Sequence, residues 1–411
     1  MYDPRVAGPL QRLTAPPYDV ISEPVRAALA AASPYNVIRI DLAEGPADPN
    51  DPGNRYRHAA ETLRSWRANG VLVPTGGPCI VAYELRFRLE GRDRSVRGLI
   101  AALELEPWGG SILPHEETMP GPVEDRLQLL RATQTHLSPV YLTAAAHPPE
   151  LAALLDEATA QPPSAEVRDE EGVVHRVWIV PADEPVQLLH EAAPLLIADG
   201  HHRYATALAY REERRATDGP GPWDRILAFV ADAESQQIPV LAYHRLQLAG
   251  AVPELPGRPV DRLEDALAAL DDDAVRIASA VRVDGRVRYR VHELPGEPPA
   301  VRALHAEVLD RVAPGGRLRF THDAREADAA VRGGSAVAAY LLPPTSPRTI
   351  RRVVERGQRL PRKSTFFWPK PRSGVVLLPL GSDPAPVRTR PLTHPGGRGE
   401  PPVRAPGSRA S

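Results

Sequence analysis

The ten residues Leu195-Leu196-Ile197-Ala198-Asp199-Gly200-His201-His202-Arg203-Tyr204 pass from an apolar run to a polar one across a single glycine. The apolar half reads as a buried strand, and from Tyr204 onward Ala207, Leu208 and Arg211 follow at helical spacing. A strand that gives way to a helix within one turn points to an α/β fold. The first turn of such a helix leaves backbone N–H groups unpaired, and with two imidazoles and a guanidinium they form a cradle for an anion such as phosphate. His201, His202 and Arg203 are therefore candidate phosphate ligands, with Asp199 beside them. The same residues also fit a plainer arrangement, in which Asp199 caps the helix and the histidines pack.

On the N-terminal side of this junction, helices and strands alternate with short turns. A small helix ends at Ala32, and Tyr35-Asn36-Val37-Ile38-Arg39-Ile40 alternates as a strand would. Tyr56 to Asn69 reads as an amphipathic helix with Tyr56, Ala59, Leu63 and Trp66 on one face, stopped by Gly70. Tyr83 to Leu89 and Val96 to Leu105, separated by a Glu90–Arg94 turn, form a hairpin pattern. The Gly- and Pro-rich stretch from Pro107 to Pro122 reads as a loop, and it carries His115, Glu116 and Glu117. A helix over Val123–Thr133 and an extended segment from Pro139 to Thr143 come next. Pro162 to Gly172 reads as a polar loop, and a strand from Val173 to Val180 then leads through a further helix to Pro194.

On the C-terminal side, Ile226 to Val230 reads as a buried strand, and Val281 to Val291 alternates around Asp284-Gly285, a strong hairpin signal. Val301, Leu304, Val308 and Val312 recur at helical spacing. Beyond Gly381 the composition is Pro, Gly, Ser and Arg without periodicity, which predicts a disordered tail over 381–411. The expected organisation is an α/β core over 1–218 with the phosphate site, a second α/β region over 219–380, and the tail.

Hydrophobic residues make up 42% of the 411 and charged residues 25%, and the net charge of -2 gives no reason to expect nucleic acid as a partner. The single cysteine, Cys79, excludes an internal disulfide. No apolar stretch nears the ~20 residues of a membrane helix, and the first residues do not read as a leader. The expectation is a cytoplasmic protein. Lys363 and Lys370 are the only lysines in a chain that otherwise uses arginine, which marks them as places where a compact ammonium is needed rather than a planar fork.

The His115-Glu116-Glu117-Thr118 segment lacks the second histidine of a metalloprotease helix, since Met119 stands in its place. Brought next to Asp199 and His201 it would supply an imidazole and a carboxylate for a divalent metal or for base chemistry. Lys363-Ser364-Thr365 lacks the glycine of the standard phosphate loop, and no Gly-x-Gly-x-x-Gly fingerprint is present. Phe366-Phe367-Trp368 reads either as a stacking surface for a base or as core.

Five segments in this order resemble the bacterial and archaeal family of unknown function numbered 1015: Ala15-Pro16-Pro17-Tyr18-Asp19-Val20-Ile21, Tyr35-Asn36-Val37-Ile38, His115 to Thr118 with Asp125-Arg126, Ile197 to Tyr204, and Pro361-Arg362-Lys363-Ser364-Thr365-Phe366-Phe367. The likeness spans about residues 1 to 380. The Asp199–Tyr204 segment is also similar to the phosphate-binding segment of the ParB and sulfiredoxin superfamily, which includes free-serine kinases. That likeness implies a ParB/sulfiredoxin-like core in which His201, His202 and Arg203 hold nucleotide phosphates.

The expected function is a nucleotide-dependent small-molecule kinase acting on a hydroxylated metabolite such as an amino acid, with ATP or ADP and magnesium as cofactors. Glu116, Asp199 and Lys363 are the expected catalytic residues, with Glu116 or Asp199 as base or magnesium ligand. The alternatives are a metal-dependent hydrolase built on His115, Glu116, Asp199 and His201, with His115, Glu116 and Asp199 as metal ligands, and a non-catalytic nucleotide-binding switch. The oligomeric state is open.

Overall fold

Cys79–Leu89 and Arg92–Glu104 run from continuous apolar stretches, Ile80 to Tyr83 and Leu99 to Leu103, to polar alternation beside their shared turn, and they pair antiparallel as the longest hairpin of a mixed sheet. The structure is a computed structural model describing residues 1–182, 194–232, 236–271, 274–297, 299–309 and 317–381. Among these residues the larger sheet has eight strands, in the order Ile112–Leu113, Leu195–Asp199, Val140–Ala144, Arg225–Asp232, Arg92–Glu104, Cys79–Leu89, Val174–Pro181 and Ala165–Arg168. Two pairings are parallel, Ile112–Leu113 with Leu195–Leu196 and Val140–Ala144 with Ala228–Asp232.

Both faces of this sheet are covered, so its strands are apolar on both sides. Along the first hairpin strand, Ile80 and Ala82 face a core shared with Leu151 and Leu155 of helix Pro149–Thr159 and with Tyr204 and Ala207 of helix His201–Asp218. Val81, Tyr83 and Leu85 face the opposite core, closed by Phe366, Phe367, Trp368 and Val375. The aromatic run from Phe366 to Trp368 is thus core. It is fixed by pairing of Val240–Leu241 with Phe366–Phe367.

The second sheet is antiparallel throughout, in the order Arg258–Val260, Arg286–Glu293, Arg276–Val283, Ala338–Leu341, His244–Gln247 and Leu318–Thr321. Its central hairpin turns at Asp284 and Gly285 with φ of 49° and 78°, the left-handed pair that a two-residue hairpin requires. Helices Leu263–Ala268 and Ala324–Arg332 cover one face and Ala300–Leu304 the other. The larger sheet runs past residue 218 to take in Arg225–Asp232, and Met1–Gly381 forms one unit.

Several expectations change. Tyr35–Ile40 is not a strand: Asn36 Oδ1 accepts the Ile38 N–H at 3.0 Å and starts the short helix Ile38–Asp41. Val37, Ile38 and Ile40 are all buried there, so over six residues a helical turn imitated the alternation of a strand. The polar stretch 162–172 contains the strand Ala165–Arg168, and 107–122 contains Ile112–Leu113. Ala300–Leu304 continues as a π-helical turn, His305–Leu309. Val312, the helix expected before Pro194 and the tail from 382 to 411 lie outside the described residues. No helix among the described residues is long and apolar enough to cross a membrane.

Candidate functional site

Gly200 has φ of +97°, a conformation that releases the chain from the Leu195–Asp199 strand directly into the helix His201–Asp218. A Cβ at this position would sit 3.0 Å from the Arg203 guanidinium, so any side chain here would press that guanidinium aside as well as adopt a left-handed φ. The guanidinium donates to Asp199 Oδ2 at 2.6 Å, to Ser138 Oγ at 3.0 Å and to the Pro139 carbonyl. The other Asp199 oxygen meets Lys370 Nζ. Burial alone would raise the Asp199 carboxyl, but Lys370 and Arg203 outweigh it and hold the pKa at about 2. Asp199 is therefore ionised at neutral pH, an anchor between two cations.

The two histidines hold a loop in place. His201 Nε2 accepts the N–H groups of His115 and Glu116, each at 3.3 Å, and His202 Nε2 accepts that of Met119 at 3.0 Å. An imidazole nitrogen that accepts carries no proton, so both rings are neutral with the proton on Nδ1. Burial, with His115 and His202 nearby, keeps the His201 pKa well below its usual value, and burial also lowers that of His202. Seen from the sequence these side chains faced an anion, whereas in the structure their Nε2 atoms face the 115–119 loop.

That loop is joined in turn to the segment around residue 360. Glu116 pairs with Leu360 in a parallel bridge, with Leu360 N donating to His115 O at 2.7 Å and Glu117 N to Leu360 O at 3.0 Å. The Glu116 carboxylate accepts from the backbone of Lys363, Ser364 and Thr365. Lys363 extends from this point to pair with Asp19, its Nζ lying 5.6 Å from the centre of the Tyr243 ring. Burial alone would lower the Lys363 pKa, yet Asp19 and Tyr243 raise it, and Lys363 in turn helps hold Asp19 below the usual carboxylate range against its own burial.

These side chains line one cavity of about 320 Å³, walled by Tyr18, Asp19, Glu116, Asp199 to Arg203, Tyr243, Arg362, Lys363 and Lys370 among others. Four of the five separated motifs meet there. The fifth, Tyr35 to Ile38, stands apart as structure: Asn36 Nδ2 donates to the Arg12 and Thr14 carbonyls. Asp125-Arg126 supports the wall, because Arg126 pairs with Asp41 and Asp125 and lies 4.4 Å from the centre of the Tyr18 ring.

The three expected metal ligands are not gathered. His115 is fully buried beneath the cavity with Nε2 2.7 Å from Thr365 Oγ1, Glu116 is occupied by backbone donors, and Asp199 by two cations. Among the described residues no group of three or more His, Cys, Asp or Glu is placed to hold a metal ion. Sequence reasoning passed over Asp19 and Arg362 as site residues although both stood in quoted motifs, and no local signal marked Tyr243 as a wall of the cavity. The rarity of lysine did single out Lys370, but not its partner.

Among solved structures the chain is similar to a free serine kinase in complex with AMP, at 14% identity and a TM-score of 0.38, over 65% of this chain and 86% of that one. It is also similar to a mutant of free serine kinase in complex with ADP, at 13% identity and a TM-score of 0.38 over the same 65% and 86%. A third similar structure is a conserved hypothetical protein from Pyrococcus furiosus, at 14% identity and a TM-score of 0.36, covering 65% and 89%. No curated protein matches in sequence. The sequence profile of the family described as protein of unknown function (DUF1015) matches residues 1–270, which is more than half of the 411, and the chain belongs to that family.

Proposed function

We propose that this chain is a nucleotide-dependent kinase for a small hydroxylated metabolite such as an amino acid, working in the cytoplasm. The observation that carries this reading is the convergence of Asp19, Asp199, Lys363 and Lys370 on one cavity beside the start of an 18-residue helix. Phosphoryl transfer asks a protein mainly for positioning and charge neutralisation, and paired ammonium and carboxylate groups at a helix N-terminus supply both. Lys363 and Arg362 are the cations at the mouth that would meet the phosphates of ATP or ADP. Arg362 makes no ion pair among the described residues, donating instead to Met119 Sδ at 2.7 Å.

Asp19, which has a single ion pair among the described residues, offers the hard oxygen donors that magnesium takes alongside phosphate oxygens, and there magnesium would neutralise phosphate charge. Asp19 then replaces Glu116 and Asp199 as the carboxylate assigned to the substrate hydroxyl, acting once an incoming phosphate has drawn away the Lys363 ammonium that holds its pKa down. Glu116 is engaged by four donors, and a group with a pKa of about 2, as at Asp199, is a poor base. A hydrolase using His115 and His201 loses support, because one ring is buried below the cavity and the other accepts two backbone N–H groups at Nε2. A non-catalytic switch would use the same pocket without turnover.

Thermal unfolding with adenine nucleotide and magnesium tests the reading. A ligand at about 100 times its dissociation constant adds ~2.7 kcal/mol to stability. No shift with millimolar ATP or ADP would overturn both kinase and switch, and a shift with no nucleotide consumption across a panel of hydroxylated amino acids would leave the switch.

A further inference from the structure

Glu116 was expected to act on protons or on a metal, yet its carboxylate is already engaged by four donors. Oε2 accepts the Lys363 N–H at 2.9 Å, while Oε1 accepts the N–H groups of Ser364 and Thr365, both at 2.8 Å, and the Thr365 hydroxyl at 2.9 Å. An ionised carboxylate offers about four lone-pair sites, two on each oxygen, so three donors crowd Oε1 while Oε2 takes one. The Thr365 hydroxyl has one proton, which goes to the acceptor-only carboxylate. His115 Nε2, 2.7 Å from the same oxygen, must therefore be the donor there.

Three successive N–H groups converging on one anion make a nest, the concavity in which backbones often bind phosphate. Here the chain fills its own nest. The cost is visible at Lys363, whose φ of 56° places a residue with a side chain in the left-handed region. That same backbone geometry sends the Lys363 side chain across the cavity to Asp19 and over the Tyr243 ring. The flanking carbonyls are held elsewhere, Arg362 O by Arg245 Nη2 and Ser364 O by Thr345 Oγ1, each at 3.3 Å, but the N–H groups of 363, 364 and 365 all turn to Glu116.

We propose that Glu116 is a positioning residue: by occupying the nest of residues 363–365 it fixes the left-handed turn at Lys363 and so aims the ammonium into the cavity. Its site in the 115–117 bridge to Leu360 makes it the clasp between the helix-start loop and the lysine segment. The consequence for turnover rests on the kinase reading, but the structural claim does not.

The test exploits the lysine count. Full-length protein labelled with carbon-13 at lysine Cε gives signals from only Lys363 and Lys370. In Glu116→Ala the Lys363 signal is expected to move to the position of a solvated lysine while that of Lys370 stays. Amide exchange at 363, 364 and 365 should accelerate roughly tenfold or more, the loss of about one hydrogen bond to a charged group each. Glu116→Gln retains an oxygen for Ser364 and Thr365 but turns an N–H toward that of Lys363, so the lysine signal should move while exchange at 364 and 365 changes less. An unmoved Lys363 signal in either variant, or an equal displacement of both lysines, would overturn the proposal. If wild-type protein shows no nucleotide stabilisation, the kinase reading falls, and the lysine signals still decide the role of Glu116.

Discussion

The cavity holds two lysine–aspartate pairs of opposite character. Lys370 and Asp199 are 10% and 12% exposed, and Arg203 adds a third charge that is itself tied to Ser138 and Pro139. Lys363 and Asp19 are 26% and 27% exposed, with Tyr243 as the nearest wall and no second cation on Asp19 among the described ion pairs. The first pair is saturated and shielded, which suits a frame. The second is a single pair at the mouth, which an incoming anion can open by offering Lys363 a better partner. A ligand pocket needs both, one to keep its shape and one to exchange.

The largest effect should come from the frame. Removing one partner of a buried pair leaves a charge without compensation, at a typical cost of 3–5 kcal/mol. Lys370→Ala is therefore expected to lower unfolding stability in urea by about 3 kcal/mol, toward the low end because Arg203 still faces Asp199. A loss below about 1 kcal/mol would erase the distinction between the pairs.

Acid sharpens the same contrast. The folded pKa of Asp199, about 2, lies below the ordinary value of 3.8, so the folded state binds its proton later than the unfolded state does. Stability from this group is complete above about pH 4 and is lost as pH falls through about 2, a contribution on the order of 2 kcal/mol. The stability gap between wild type and Asp199→Asn should stay constant down to about pH 4 and close below it. A gap that closes between pH 7 and 5 would mean that the carboxylate is not held by its cations. Gly200→Ala comes next, at roughly 1 to 2 kcal/mol, because the new Cβ meets both an unfavourable φ and the Arg203 guanidinium. Calorimetric melting of that variant checks it.

The frame was more legible in the sequence than the mouth. An apolar run ending in Asp199-Gly200 names a strand, a turn and a helix, because each is a local preference, and the hairpins at Glu90–Arg94 and Asp284-Gly285 follow for the same reason. Tyr35 to Ile40 failed because six residues are too few to separate a period of two from one of 3.6. The partners of His201, His202 and Glu116 could not be read at all. His201 meets a loop some 85 residues away, and Glu116 meets a turn 247 residues on, so their chemistry is settled by tertiary contacts that no spacing encodes. Lys363 was visible through the scarcity of lysine and its place in a motif, and Asp19 only through its company in a motif.

The smallest stability effect is expected at the mouth, where it is the most informative. Lys363 and Asp19 are each about a quarter exposed, so solvent screens the pair and its loss should cost no more than about 1 kcal/mol. Lys363→Ala and Asp19→Ala, alone and together, should give a coupling in that range by urea denaturation, well under the value for Lys370 with Asp199. Lys363→Arg keeps the charge, so it should leave stability within about 0.5 kcal/mol of wild type, the usual span of surface changes. Turnover should nonetheless fall in Lys363→Arg, because a planar fork cannot take the place of a compact ammonium aimed from a left-handed turn. Full activity in that variant would show that the mouth tolerates any cation and that the contrast between the pairs is one of burial alone. A coupling at the mouth as large as that of the frame would show instead that Lys363 is no freer to exchange partners than Lys370.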